Sequence, residues 1–245
     1  MKTQKLLIDA DMVAYQITSA IEQEIRWEDE IHTLHSDFKD AIAGFHLWEK
    51  RLDEELRSPY KKTKVYCFSD TNNFRKNLHK DYKSNRKKTR KPLAYLQLKE
   101  WIMDKFDAVI YPNLEADDVL GILQTSDKKP NIIVSDDKDL LTIPGRTYRL
   151  GQVHDIDEQT AKFNWYMQAL TGDTADGYKG CPGIGPKKAE TLLSKSCEWP
   201  TIVSAFKAAG LTEDDAIVQA QLAKILTVSD WDKKSREPIL WKPTN

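Results

Sequence analysis

The chemistry this chain could perform rests on nine acidic residues and on where they fall. Asp9 closes the run Leu6-Leu7-Ile8, and Asp70 follows Val65-Tyr66-Cys67-Phe68. Glu115, Asp117 and Asp118 sit in Glu-Ala-Asp-Asp, just past Val109-Ile110-Tyr111. Asp137 and Asp139 follow Ile132-Ile133-Val134, and Asp173 and Asp176 lie in Gly-Asp-Thr-Ala-Asp. Apolar runs that each stop at an acid read as buried parallel strands delivering carboxylates to one edge of a sheet, the edge at which open α/β folds bind ligands. Carboxylates gathered there repel one another unless cations hold them, and hard divalent ions such as Mg²⁺ or Mn²⁺ take oxygen ligands. An all-carboxylate cluster without His or Cys suits a two-metal phosphodiester site, where paired ions activate water and relieve charge on the leaving oxygen. Surface acids are common, and the dipole at a helix start favours those of Glu-Ala-Asp-Asp in any case. Asp11 and Asp136 are the expected false members. The five histidines show no ligand spacing with the acids, and no Ser/His/Asp arrangement stands out.

A second feature is basic. Residues 75 to 91 carry nine Lys or Arg against one acid, Asp81, although the whole chain has a net charge of −1. A charge run is usually a solvated loop, but this one directly follows Asp70 and can arch over the acidic edge. Arg75, Lys87 and Lys88 would then grip phosphates, and Tyr82 would offer a stacking surface for a base. A third feature is Gly180-Cys181-Pro182-Gly183-Ile184-Gly185-Pro186-Lys187-Lys188-Ala189-Glu190, the pattern of a helix-hairpin-helix. Gly183 and Gly185 let the backbone approach a phosphate, the helix start faces the anion, and Lys187 and Lys188 add charge. The plainer alternative is a tight turn between packed helices.

Length and composition (245 residues, 40% apolar, 31% charged) suit one large globular domain, or one with a small appendage. No apolar run approaches the ~18 residues of a membrane span, and the start, Met-Lys-Thr-Gln-Lys-Leu-Leu-Ile-Asp, does not read as a secretory leader. Three cysteines without metal-site spacing suit a reducing cytosol. Strands are expected at 5–9, 64–69, 108–111 and 131–135, with Tyr148 to Leu150 adding another. Helices are expected from Val13, from a cap at Ser36, from Pro92, and from the Glu-Ala-Asp-Asp segment. Strand–helix alternation argues a parallel sheet covered on both faces. Partial alternation over 23–34 suggests a short hairpin. From Asp157 the pattern turns helical to the end. Cys67, Trp48, Trp101 and Trp165 are expected in the core.

The order of these motifs, with Tyr82-Lys83-Ser84-Asn85-Arg86 and Asp137-Lys138-Asp139-Leu140 among them, resembles the flap-endonuclease or 5′-nuclease family over nearly the whole chain. The tail Ile239-Leu240-Trp241-Lys242-Pro243 looks most like the stand-alone exonucleases encoded by phages. The resemblance implies a PIN-like α/β core over 1–158 with a basic helical arch at about 72–105. It also implies a helix-hairpin-helix region over 159–245 that grips duplex DNA. It implies two divalent ions, with Asp9, Asp70, Glu115 and Asp117 around the first and Asp118, Asp137, Asp139, Asp173 and Asp176 nearer the second. Lys83 and Arg86 match basic arch residues that contact the scissile phosphate, and K⁺ is implied at the hairpin. The implied activity is 5′→3′ exonuclease on duplex DNA, with flap cutting and RNA-primer removal, in the cytoplasm of the host if a phage encodes it. DNA with 5′ ends or flaps and RNA–DNA hybrids are the implied partners. No polymerase domain is attached, so a DNA polymerase or single-strand-binding protein would be separate. Two rivals stay open: a structure-specific DNA-binding protein without cleavage, and a PIN-type ribonuclease. The stretch 12–57 is longer than in compact relatives.

Overall fold

Successive side chains on a strand face opposite ways, so in the first apolar run Leu6 and Ile8 must share one side and Leu7 the other. In the computed structural model, which describes residues 3–27, 31–58, 60–84, 90–126 and 131–244, this run is strand β1 (Thr3–Asp9). Along the chain follow α1 (Ala10–Ile21), the antiparallel pair β2 (Gln23–Arg26) and β3 (His32–His35), α2 (Phe38–Glu55), β4 (Lys61–Cys67), α3 (Arg75–Leu78) and α4 (Tyr95–Lys105). Then come β5 (Ala108–Val109), α5 (Ala116–Ser126), β6 (Ile132–Val134), β7 (Gly145–Arg149) and β8 (Gln152–Ile156). Four helices, α6 (Glu158–Thr171), α7 (Pro186–Lys195), α8 (Trp199–Ala208) and α9 (Glu213–Ala223), precede a short pair, β9 (Trp231–Asp232) and β10 (Glu237–Pro238).

The main sheet has the order β5-β4-β1-β6-β7-β8, parallel except for β8, which runs back along β7. Register aligns Asp9 with Cys67 and Ile8 with Val134, so β1, β4 and β6 end at one edge. Leu6, Ile8, Tyr66 and Phe68 pack with Phe45 of α2 and Leu98 and Ile102 of α4 on one face. Leu7, Val65 and Cys67 meet Val119, Leu120 and Ile122 of α5 on the other. A third cluster joins α6, α7, α8 and α9 through Trp165, Leu170, Leu193 and Phe206. Among the described residues no helix is long and apolar enough to cross a membrane.

Most expected elements form, including the 23–34 hairpin, and three details differ. Asp37, not Ser36, caps α2 by accepting Lys39 N–H. The helix expected from Pro92 begins at Tyr95, and Leu93 and Leu96 are exposed. The chain is not helical to its end. After α9 it runs through Ile225, Leu226 and Trp231, which fill the α5 side of the sheet's core. Within the segment 72–105, implied as an arch, residues 85–89 lie outside the described residues, and α4 packs on the core through the buried Tyr95, Leu98 and Ile102.

Candidate active site

Each acid is held by the end of the element that delivers it. Asp9 ends β1 and caps α1, accepting from Met12 N (3.1 Å) and Ser135 Oγ (2.8 Å). Asp70, past β4, accepts from Thr71 N (2.7 Å) and Asn113 N (2.8 Å). Glu115 and Asp117 open α5. Asp137 caps the 3₁₀ turn Lys138–Thr142 through Asp139 N, and Asp139 accepts from Gln168 Nε2 of α6 (2.8 Å). Between α6 and α7 the chain does not make one tight hairpin. Its first half closes on itself through the Asp173–Tyr178 bridge, with Asp173 accepting Ala175 N and Asp176 N, and this turns Asp176 toward the sheet edge.

The acids line two adjoining spaces. A cleft of 670 Å³ is walled by Asp9, Asp70, Glu115, Asp117 and Asp137, with Lys83 among them. Glu115 and Asp117 also line a narrow recess with Asp139 and Asp176. Asp137, matched by resemblance to the second ion's acids, lines the wide cleft with the first set. Lys83, in a left-handed conformation (φ 52°), donates its backbone N–H to Asp176 O (2.8 Å). Its ammonium hydrogen-bonds Glu115 Oε1 and lies 3.5 Å from Asp176 Oδ2.

Crowding shows in the protonation of these groups. Burial pushes the Asp9 carboxyl up to about 6, with Asp11 and Asp137 adding repulsion. Burial and the charges of Asp9 and Asp137 raise Asp117 well above the usual range, and among the described residues no group donates a hydrogen bond to it. Burial, then Asp137, lifts Asp139 to about 6. Glu115 is the exception. Burial pushes it up, but the cations of Lys83 and Arg75 outweigh that and hold it at about 2. Among the described residues no three acids, imidazoles or thiolates surround one point so as to hold an ion as their side chains stand. The donor set nonetheless fits divalent cations: carboxylate oxygens only, mutually repelling, with no described group donating to Asp117.

The raised carboxyl of Asp139 has a measurable consequence. Folding raises its pKa, so the folded state keeps a proton that the unfolded chain sheds between about pH 4 and pH 6. Stability therefore falls as pH rises through that window, and the loss is complete above it. In EDTA at about pH 8, Asp139→Asn should raise stability by about 1–2 kcal/mol, allowing for partial exposure. Near pH 4 the gain should largely vanish. Thermal melts at both pH values check it, and an unchanged or lowered Tm at the higher pH would refute it.

Three expected site residues are corrected. Asp118 is not a metal ligand: it is fully buried, and its oxygens accept from Arg75 Nη1 and Nη2 (both 2.7 Å), Leu226 N (3.1 Å) and Glu115 N (3.3 Å). Arg75 is not a DNA contact, because its guanidinium is buried against that carboxylate. Tyr82 offers no stacking face. It is 3% exposed and its hydroxyl donates to Glu115 (2.9 Å) and Asp176 (3.1 Å). Arg86, Lys87 and Lys88 lie outside the described residues. Lys187 and Lys188 are exposed at the start of α7, where no side chain caps the helix; Gly185 is its N-cap, and Gly183 takes φ +73° with open space where a Cβ would stand. Of the two expected false members, Asp136 stands apart, accepting Leu150 N (3.0 Å) on a different pocket, whereas Asp11 lines the cleft, with its oxygens accepting Ser69 N (2.7 Å) and Tyr95 Oη (2.5 Å). Sequence reasoning missed Ser135, which fixes Asp9, and Lys99, which lines the cleft together with Lys91, the last residue of the basic run. The signal for Lys99 was its place with Leu96, Glu100 and Met103 on one helical stripe.

The family model described as the 5′-3′ exonuclease, N-terminal resolvase-like domain, matches residues 4–168. The chain belongs to the 5′-3′ exonuclease family. It is 29% identical to an exodeoxyribonuclease of Enterobacteria phage T3 over 97% of this chain and 92% of that protein. It is 28% identical to an exonuclease of Escherichia phage T7, with 97% and 93% covered. Among solved structures it is similar to a T5 5′-exonuclease with bound zinc (TM-score 0.65, 14% identity, 91% of this chain and 89% of that one). It is also similar to the catalytic core of Rad2 with DNA (TM-score 0.56, 13% identity, 98% and 83%). The fold is the PIN-like α/β fold of these nucleases, as the motif order implied. As a member of this family the chain is a nuclease, a hydrolase.

Proposed function

We propose that this nuclease cuts duplex DNA from its 5′ end and trims 5′ flaps, using two divalent ions, Mg²⁺ or Mn²⁺. The observation that carries this reading is the acidic sheet edge with Lys83 paired to its acids: Asp9, Asp70, Glu115, Asp117 and Asp137 in one cleft, and Asp139 and Asp176 in the recess that shares Glu115 and Asp117. Similar structures add support, since one is a T5 flap endonuclease in a pseudo-enzyme–product complex with DNA and metal ions. Asp9, Asp70, Glu115, Asp117 and Asp137 would hold one ion, and Asp139, Asp173 and Asp176 would help to hold the other. Such ions supply an activated water and neutralise charge on the leaving oxygen. Lys83 reaches the same carboxylates and would offset charge developing on the scissile phosphate, with Arg86 beside it in sequence. Removal of RNA primers, action on RNA–DNA hybrids and service in phage replication or recombination alongside a separate polymerase extend the same reading.

The start of α7 would grip the duplex beyond the cut. Lys187→Ala with Lys188→Ala should weaken duplex binding roughly tenfold and lower the slope of log affinity against log salt by about two. Filter binding across salt concentrations tests this, and an unchanged slope would remove the contact.

The deciding experiment uses a 5′-labelled duplex and a matching 5′-flap substrate, each with Mg²⁺ or EDTA. Mg²⁺-dependent release of mono- or short oligonucleotides from the 5′ end is expected. Binding without cleavage under both Mg²⁺ and Mn²⁺ would overturn the proposal.

A further inference from the structure

The far wall of the cleft carries two ammonium groups that the mechanism above does not use. On α4, Leu96, Lys99, Glu100 and Met103 follow three- and four-residue steps and face the cleft, while Tyr95, Leu98 and Ile102 are buried behind them. Lys99 is fixed in place: its Nζ donates to Ser69 O (3.1 Å), lies 3.7 Å from Asp11 Oδ1 and sits 4.9 Å from the Phe68 ring centre. Ser69 is the residue before Asp70, and Lys99 helps to hold the Asp70 carboxyl low. Lys91 Nζ rests 4.0 Å from the Tyr95 ring centre, and among the described residues no carboxylate comes within ion-pair distance of it. Asp11, the nearest candidate to neutralise this wall, is already engaged by Ser69 N and Tyr95 Oη. Glu100 lines the same wall, exposed, and pairs with neither lysine. Burial lowers the Lys91 ammonium below its ordinary value; the pull of Asp11 opposes this, and the like charge of Lys99 adds a smaller push in the same direction as burial.

Lys83 serves the Glu115–Asp176 end of the acid row, and Lys91 and Lys99 stand at the Asp70 end. We propose that Lys91 and Lys99 form a second phosphate grip, which takes the phosphodiester next to the one that is cut, on the same strand. The strand would then run between two cationic points with the acids beneath the bond that breaks. A phosphodiester there would bring a full negative charge and acceptor oxygens to both ammonium groups, a charge-assisted contact that water does not supply. The inference rests on the nuclease reading of the cleft and adds to it a subsite for a neighbouring linkage.

Lys91 is the residue to change, because it is exposed and touches only a ring face, whereas Lys99 also holds the backbone beside Asp70. Lys91→Ala should raise KM on the 5′-flap substrate roughly five- to tenfold and leave kcat within about twofold, since one phosphate contact is lost. The salt slope of binding, measured in an Asp117→Asn background to prevent cutting, should fall by about one. Lys91→Arg should restore both, and Lys105→Ala, an exposed lysine paired with Asp104 on the same helix, should change neither. A substrate with an uncharged methylphosphonate at the neighbouring linkage should cost the wild type the same factor and cost Lys91→Ala nothing further. Wild-type cleavage with unchanged Lys91→Ala kinetics and slope, or an equal loss from Lys105→Ala, would overturn the grip alone. Absence of wild-type cleavage on any 5′-ended DNA would instead overturn the reading beneath it.

Discussion

Asp117→Asn is expected to lower the cleavage rate by about 10³-fold or more, while leaving duplex binding within about threefold. Asp117 and Glu115 both border the cleft and the recess, but Glu115 is paired with Lys83 and Arg75, so Asp117 is the acid that two ions would share most directly. Its carboxylate is desolvated and pressed by the charges of Asp9 and Asp137. Asparagine keeps its shape and removes that charge. Since no described group donates to it, no hydrogen bond is lost, and the ion-free protein should melt no lower than wild type. Rate measurements on the flap substrate, paired with melts in EDTA, separate site from fold. Near-wild-type cleavage would remove Asp117 from the site. The neighbouring acid gives the sharpest control. Asp118→Asn should lower the Tm, because Asp118 faces Arg75 rather than the cleft.

Arg75→Ala should be the most damaging single change to stability, about 3–5 kcal/mol. All five guanidinium N–H donors are used. Nη1 donates to Asp118 Oδ2 (2.7 Å) and Glu115 Oε2 (3.4 Å), and Nη2 to Asp118 Oδ1 (2.7 Å) and Lys224 O (2.6 Å). Nε donates to Leu222 O (3.1 Å). Alanine leaves a buried carboxylate without its partner and two carbonyls at the end of α9 unpaired, and unpairing buried charge is what makes such losses large. For a chain of this size the loss corresponds to a Tm drop of roughly 10 °C. Lysine should not rescue it, because a point charge cannot make the paired contact with Asp118. Arg75→Met combined with Asp118→Leu should recover much of the loss. A Tm within about 2 °C of wild type for Arg75→Ala would refute the anchoring role. Had Arg75 gripped DNA, its removal would have lowered the salt slope and left the Tm alone.

These two residues show where sequence reading succeeds and where it stops. The acids at strand ends were legible because a strand delivers its last side chain to the sheet edge whatever surrounds it. Glu115, Asp117 and Asp118 stand together in sequence, yet α5 turns the last of them through one further helical step, away from the cleft and into the core. Among the nine Lys and Arg of the basic run, Arg75 differs from the others in no sequence property. It is buried because α3 packs against α9, nearly 150 residues further on.

Local chemistry therefore determined the sheet, the acid row, the glycine turn before α7 and the family, since strand alternation, capping and φ preference act over a few residues. Partners that meet only when distant segments pack were left to the tertiary structure. Asp118 was given to Arg75 and not to a metal, Tyr82 to Glu115 and Asp176 and not to a base, and Ile225, Leu226 and Trp231 to the nuclease core. The physical reason is common to all three. A charged or aromatic side chain takes its role from whether folding removes it from water, and that depends on what comes to cover it from elsewhere in the chain.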